Sequence, residues 1–384
     1  MRATFVRVMA AFVAAVSGFP AAHGPQSLST HVPIVAENRD PAKQREFSIL
    51  GSGDILVHPP TWRQAQVDAR SEGESGYDFD QMLASIRPTV ESADLAICHL
   101  EAPMGPGEPK DFPRFNAPVQ LAPAVKKAGY DACSTASNHA FDQGERGVYD
   151  NLDALDRAGL RHSGTFRSAA EQATPTIYQL HGVSVGHLSW SLHFNGIEPP
   201  PGKAWLANRI DVNAIRAAAA ATRKAGAEII VLSAHWGTEM VNTPDGKQIS
   251  WAKELIADPN IDLIIGHHAH VVQPMERVGD KWIAYGVGNL LARHDFPRDA
   301  NREGVLAKFT FTRQSNGRWL VTRAEAVPTW LSLKPNIRVL DLSSELGSLP
   351  SADRRHALYT AAQDRVVGHL GSRGAITEGL AVRR

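Results

Sequence analysis

The sequence predicts an α/β fold, mixed β-sheets covered by helices, on three observations. Strand-like apolar runs alternate with stretches of helical spacing from residue 47 to 265, and hairpin patterns close the series. The apolar fraction, 43% of 384 residues, is enough to fill a sizeable core. Five of the predicted strands run into a carboxylate, an amide or an imidazole, and ligands of open α/β sheets gather beyond strand ends.

Residues 1–24 place Arg2 and Arg7 ahead of an apolar stretch, 8–16, and then small residues around Ser17-Gly18 and Ala21-Ala22. That order reads as a secretory signal peptide, with a greasy core too short to span a bilayer comfortably. Export to the periplasm or cell surface is therefore expected; the alternative is membrane anchoring through an uncleaved signal. Residues 25–45 are polar, carry prolines and read as a flexible lead-in. The main domain is expected over 46–335, with a C-terminal strand and helix, 336–384, packing on it or trailing it.

Within the domain, 47–50 is a short strand that runs into Gly51-Ser52-Gly53-Asp54, followed by a polar region. A helix over 80–90 carries Met82, Leu83, Ile86 and Val90 at helical spacing. The strand 95–98 delivers His99 and Glu101. Helix 118–129 and strand 130–135 deliver Asn138-His139, and helix 147–158 stops at Gly159. A hairpin over 176–188 turns at His181-Gly182. Asp211 caps a helix through 225, after which strand 229–232 leads to His235. Helix 249–257 and strand 261–265 lead to Gly266-His267-His268-Ala269-His270. Hairpins over 271–285 and 304–327, then a short strand and a helix over 352–370, complete the chain.

Lysine plus arginine and aspartate plus glutamate balance at 40 each, which gives no electrostatic reason to expect nucleic acid. Cys98 and Cys133 both fall in predicted buried strands without CxxC spacing. They read as two small core side chains rather than a disulfide, although an oxidising compartment permits the bond.

The histidine run is the strongest chemical signal. Alternate residues of an extended chain point the same way, so His268 and His270 can grip a metal from one side while His267 faces away. If the chain turns sharply after Gly266, His267 takes the place of His268. Asp54, Glu101, Asn138 and His235 add two carboxylates, an amide oxygen and another imidazole. Such a set suits zinc, manganese or iron, and suffices for two ions if one carboxylate bridges them. Singly, Asp54 reads as a turn residue, Glu101 as a surface carboxylate and Asn138 as a helix cap. Their joint occurrence in order is what points to a site. His162, His181, His187 and His193 read as packed or solvated, His294 and Arg293 as a solvated loop, and 286–289 as tight packing.

The segments GDILVH, HLEAP, ASNHAFDQG, AHWGTEM, GHHAHVVQPME and YGVGNL, in this order between 47 and 328, resemble the motif series of the CapA family. These are poly-γ-glutamate capsule biosynthesis proteins, also called PgsA, similar in fold to calcineurin-like metallophosphatases. The resemblance implies a four-layer α/β/β/α sandwich of two mixed β-sheets with a metal site at one edge. It implies one or two divalent transition metals (Mn, Fe or Zn). Asp54 would hold one ion, Glu101 would bridge, Asn138 and His235 would hold the second, and His268 and His270 would be divided between them. His139 matches the histidine that protonates the leaving group or stabilises charge on the phosphate, and Asp142 is placed to orient it by hydrogen bond. The chain departs from the family patterns at Leu56, where metallophosphatases carry histidine or asparagine, and at Glu101, where they carry aspartate. It departs also at His99, where asparagine is frequent, and at Ala269, where proline is.

The residues imply hydrolytic chemistry and the resemblance implies a role in polymer biosynthesis, which leaves two functions open. One is a metal-dependent hydrolase of phosphoesters or a related bond, linked to extracellular poly-γ-glutamate or cell-surface polymer biosynthesis. The other is a non-catalytic accessory factor that binds or exports an anionic polymer beside membrane-bound synthesis partners, with Lys110, Arg114, Lys126 and Lys127 as basic surface.

Overall fold

The computed structural model describes residues 45–294, 296 and 298–384. The expected signal peptide, 1–24, and all but the last residue of the lead-in lie outside the described residues. No described helix is long and apolar enough to cross a membrane.

The chain first lays down β1 (Glu46–Leu56), β2 (Leu95–Leu100), β3 (Ala132–Ser134) and β4 (Arg161–Ser163) as neighbouring parallel strands. It then crosses to a second sheet made of β5 (Ile177–Leu180), β6 (Val183–Ser191), β7 (Ile229–His235), β8 (Leu263–His267), β9 (Met275–Val278) and β10 (Lys281–Ala284). The order there is β5-β6-β7-β8-β10-β9, parallel from β6 through β10. The chain returns to the first sheet with β11 (Asn289–Ala292), β12 (Glu303–Arg313), β13 (Trp319–Ser332), β14 (Arg338–Asp341) and β15 (Leu380–Val382). The first sheet thus runs β14-β13-β12-β1-β2-β3-β4, with β11 on β1 and β15 on β13.

Alternation within each strand builds the layers. Phe47, Ile49, Leu95 and Ile97 of the first sheet meet Val185, Ile229, Val231, Leu263 and Ile265 of the second. The opposite faces of the same strands carry Leu50, Ala96 and Cys98, covered by helices bearing Met82, Ile86, Val125 and Leu152. Ile230, Leu232 and Ile264 are covered in turn by helices bearing Ile215, Ala219, Ala252 and Leu255. Strands covered on both faces carry near-continuous apolar runs, such as 229–232 and 263–265. The result is a helix, sheet, sheet, helix sandwich, the architecture expected from the sequence.

Several local expectations change. β1 continues through Leu56, so Asp54 lies inside the strand rather than beyond it. Gly53 permits this, because a Cβ there would stand 2.6 Å from the backbone of Asn289, where β11 crowds against β1. The expected helix over 80–90 is broken into Asp80–Leu83, a 3₁₀ turn Ala84–Ile86 and Arg87–Glu91. Pro88 has no N–H to offer a continuous helix. A helix at Pro59–Ser71 occupies the stretch expected to be merely polar; its buried residues, Thr61, Ala65, Asp68 and Ala69, are too small and polar to give an apolar period.

Cys98 and Cys133 form a disulfide, a correction to the reading of two free core thiols. Parallel pairing of β2 with β3 sets the two cysteines directly opposite each other, with Cα atoms 4.4 Å apart. The C-terminal segment is integral to the sandwich: β14 and β15 both pair with β13, and Val366 and Leu370 of the helix Arg354–Gly371 enter the apolar layer between the sheets.

Candidate metal centre

The carboxyl ends of the parallel strands of both sheets converge. In the first sheet, Asp54, His99 and Ser134 lie side by side across β1, β2 and β3. In the second, Ser191, His235 and His267 lie side by side across β6, β7 and β8. Asn138 and His139 follow β3 in the loop before the helix Gly144–Arg157, and Glu101 follows β2 directly. Asp54, Glu101, Asn138, His139, Asp142, His235, His267, His268 and His270 are all buried.

The histidine run is not extended beyond His267. His268 and His270 have φ of 86° and 57°, in the left-handed region. The alternation argument therefore fails, and all three imidazoles reach the same cluster. Gly266, within β8, is required by close approach: a Cβ there would lie 1.9 Å from the Tyr285 carbonyl oxygen. His267 Nδ1 lies 3.3 Å from Asp54 Oδ1, and His270 Nδ1 lies 3.3 Å from Asp54 Oδ2. His270 Nε2 lies 3.5 Å from Glu101 Oε1. On the other side of Glu101, His235 Nε2 stands 4.0 Å from Oε1 and 3.0 Å from Asn138 Oδ1.

Three sets of ligand atoms, each within 4.8 Å of one another, emerge: Asp54, Glu101 and His270; Glu101, His235 and His268; and Asp54, His99 and His267. Glu101 is common to the first two. The third set is compromised because both ring nitrogens of His99 are already engaged, Nδ1 with Ser134 Oγ at 2.7 Å and Nε2 with His235 Nδ1 at 2.9 Å. A cation fits the first two sets on an independent observation. Both oxygens of Glu101, Asp54 Oδ1, His268 Nδ1 and also His267 Nδ1 are buried with no hydrogen-bond partner, so His267 can add a ligand on the Asp54 side. Unpaired buried acceptors are costly, and a cation shared among them removes the cost.

Electrostatics agree. Burial pushes Glu101 well above the usual carboxylate range. Burial and the neighbouring His270 hold His268 down to about 3. Burial also opposes charge on His270, yet Glu101 and Asp54 push it up to about 10. Burial would raise Asp54 as well, but His267 and His270 hold it well below its ordinary value. Burial keeps His99 and His235 far below the ordinary histidine value, so both are neutral.

Beside the cluster, His139 Nδ1 lies 2.7 Å from Asp142 Oδ2, and the same oxygen accepts the Phe115 N–H at 2.7 Å. The Phe115 ring meets His139 edge-on at 4.8 Å.

Four residues near the site were missed or undervalued by sequence reasoning. His99 was noted only as a departure. Asn289, read as packing, places Oδ1 3.0 Å from His270 Nδ1. His294, read as solvated, is half-buried with its ring 4.8 Å from that of His270. His58 packs between Phe115 and His294. The available signals were His58 closing the GDILVH segment, His99 opening HLEAP, and Asn289 and His294 in the GVGNL segment and its downstream loop. Leu56 sits in an apolar cluster with Ala102, Phe115 and Ala292. His58, His294, Phe112, Met240 and Arg298 line a cavity of about 450 Å³ next to the cluster. Lys126 and Lys127 do not border it: they pair with Asp131 and Asp80, at the opposite end of β3.

A two-sheet α/β protein with carboxylates and imidazoles gathered at the strand ends is the class this geometry defines. Residues 48–294 match the family described as bacterial capsule synthesis protein PGA_cap, and the chain belongs to that family. It is 24% identical over 303 residues to the capsule biosynthesis protein CapA of Bacillus anthracis, covering 76% of this chain and 72% of that one. It is 25% identical over 254 residues to the PGA biosynthesis protein CapA of Bacillus subtilis, covering 63% and 64%. Among solved structures it resembles the calcineurin-like phosphoesterase YfkN from Bacillus subtilis, with a TM-score of 0.44 and 14% identity over 84% of this chain and 98% of that one.

Proposed function

We propose that this protein is an exported metal-dependent hydrolase of phosphoesters, or of a related bond, in the biosynthesis of poly-γ-glutamate or another cell-surface polymer. The observation that carries this reading is the convergence of unpartnered Glu101, Asp54 and His268 acceptors beside the His139–Asp142 pair. Asp54, Glu101 and His270 would hold one divalent cation, and Glu101, Asn138, His235 and His268 a second, with manganese, iron or zinc fitting these donors. Bound there, such cations lower the pKa of water and neutralise charge developing on a phosphoryl group. The chain's own part is to bind, orient and protonate. Asp142 fixes Nδ1 of His139, leaving Nε2 to give a proton to the leaving oxygen. The cavity beside His58 and His294 accommodates the remainder of the substrate. Export is supported by the buried Cys98–Cys133 disulfide, a bond that persists in oxidising compartments.

A second reading, an accessory factor that binds an anionic polymer, is favoured by the names of the capsule biosynthesis relatives and by exposed Arg114 near the site. Metal analysis of the purified protein, with a phosphoester panel, separates the two. The hydrolase reading expects stoichiometric transition metal and large rate losses in Asn138→Ala, His139→Ala and His235→Ala. Unchanged rates in all three, or polymer binding that survives loss of the ligands without any turnover, favours the accessory role.

A further inference from the structure

We infer that His99 and Ser134 form a reversible hydrogen-bond relay that sets the tautomer of His235, and with it whether the Asn138 side of the centre can accept a cation. The inference rests on the metal-centre reading above, and concerns a positioning role.

The relay is a continuous buried chain. His235 Nε2 faces Asn138 Oδ1 at 3.0 Å, and His235 Nδ1 faces His99 Nε2 at 2.9 Å. His99 Nδ1 faces Ser134 Oγ at 2.7 Å, and the Ser134 hydroxyl lies 3.3 Å from the Cys98 carbonyl oxygen. All three side chains are buried, and parallel register places His99 opposite Ser134.

Counting protons leaves two states that fill both gaps between His235, His99 and Ser134. A neutral imidazole carries one N–H, and a hydroxyl carries one O–H. The terminal atoms, Asn138 Oδ1 and the Cys98 carbonyl oxygen, only accept. Three protons serve four gaps and no gap takes two, so one gap is always empty. Only two arrangements fill both short gaps between the three side chains, at 2.9 and 2.7 Å, and in both all protons point the same way. In one state Ser134 donates to His99 Nδ1, His99 Nε2–H donates to His235 Nδ1, and His235 Nε2–H donates to Asn138. In the other, His235 Nδ1–H donates to His99 Nε2, His99 Nδ1–H donates to Ser134, and Ser134 donates to the Cys98 carbonyl.

The two states hold the same number of protons. They differ in what they offer at the site. The first covers both His235 Nε2 and Asn138 Oδ1 with a proton. The second leaves both lone pairs bare and facing each other, an arrangement that only a cation relieves. Cation binding at this side therefore selects the second state, and the Cys98 carbonyl is the acceptor that makes it available. Partners that orient ligating histidines in this way alter metal affinity by about 10–100-fold.

The test uses the full chain and zinc alone. Isothermal titration of zinc into the metal-free protein is compared among wild type, His99→Gln, His99→Leu and Ser134→Ala, with thermal melts confirming that each variant is folded. A glutamine at 99 can accept from His235 Nδ1, so it is expected to retain affinity near wild type. His99→Leu and Ser134→Ala are expected to weaken one zinc site by about 10–100-fold. Imidazole ¹⁵N spectra are the second readout, independent of turnover: His99 and His235 are expected to carry their protons on Nε2 without zinc and on Nδ1 with it. Equal affinity in all four proteins, or a His99 proton on Nε2 in the zinc-loaded wild type, overturns the relay. Absence of any zinc uptake by wild type overturns the metal reading itself, a separate result.

Discussion

His139 and Asp142 are joined within one turn of chain, Nδ1 to Oδ2 at 2.7 Å, and the same carboxylate oxygen accepts the Phe115 N–H. One carboxylate thus fixes the imidazole and the loop that carries the ring set edge-on against it. If His139 is the acid, Asp142→Asn lowers kcat about 10²-fold, the scale of a general acid's contribution, with little change in KM. Steady-state kinetics on a chromogenic phosphoester checks this, and an unchanged kcat removes Asp142 as a positioning partner of His139.

Glu101→Gln separates the cost of the site from its use. Both carboxylate oxygens of Glu101 are buried without partners, so the metal-free protein is destabilised by keeping them. The amide is expected to raise the melting temperature of the metal-free protein, by the equivalent of about 1–3 kcal/mol. It is also expected to abolish the metal-induced rise, about 2.7 kcal/mol at a cation concentration a hundredfold above Kd. Calorimetric scans with and without metal decide, and a wild-type-like metal response in the variant contradicts a bridging role.

Gly266 is a steric requirement. An alanine Cβ would stand 1.9 Å from the Tyr285 carbonyl oxygen and 2.6 Å from Trp236 Nε1, whereas a Cβ at Gly246 meets nothing within 4 Å. Gly266→Ala is expected to cost about 3 kcal/mol or prevent folding, while Gly246→Ala is neutral or stabilising by up to about 1 kcal/mol. Denaturant melts of the two variants compare them directly.

Glu303 supplies a pH dependence. Burial pushes its carboxyl up to about 7 despite the Arg365 guanidinium 2.6 Å away. The folded state therefore binds this proton more tightly than the unfolded state. The resulting stabilisation is complete below the ordinary glutamate value and is lost as pH rises through 7. Glu303→Gln is expected to flatten the decline in melting temperature between about pH 4.5 and 7; an identical slope in wild type and variant counts against it.

The disulfide gives a fifth expectation. Cys98 and Cys133 close a loop with a sequence separation of 35. Replacing both with serine, or reducing the bond, is expected to cost about 2–4 kcal/mol. Urea unfolding with and without reductant measures it.

The layers of the sandwich were legible because strand and helix periods are local properties. The runs 229–232 and 263–265, which lead to His235 and to the histidine triplet, are apolar throughout, and such runs have few alternatives to a doubly covered strand. The helix Pro59–Ser71 escaped notice because its buried face is built of Thr61, Ala65, Asp68 and Ala69. The disulfide escaped because strand neighbours and register are not local: nothing in the spacing of Cys98 and Cys133 says that β2 lies beside β3.

The candidate site divides the same way. The sequence by itself determined which residue types stand at the strand ends, because apolar runs end where polar side chains begin, and it assembled Asp54, Glu101, Asn138, His235 and the histidines as one group. Only the tertiary structure decided how they face one another. The left-handed backbone at His268 and His270 turns all three imidazoles inward, where extended geometry would have turned one away. The approach of the two sheets brings His99 of one against His235 of the other, a contact across 136 residues of sequence that no local pattern encodes. Packing of β11 against β1 at Gly53 carries Asn289 to His270. Residue chemistry is written along the chain, whereas the distances on which that chemistry depends are set by backbone close approach between distant segments.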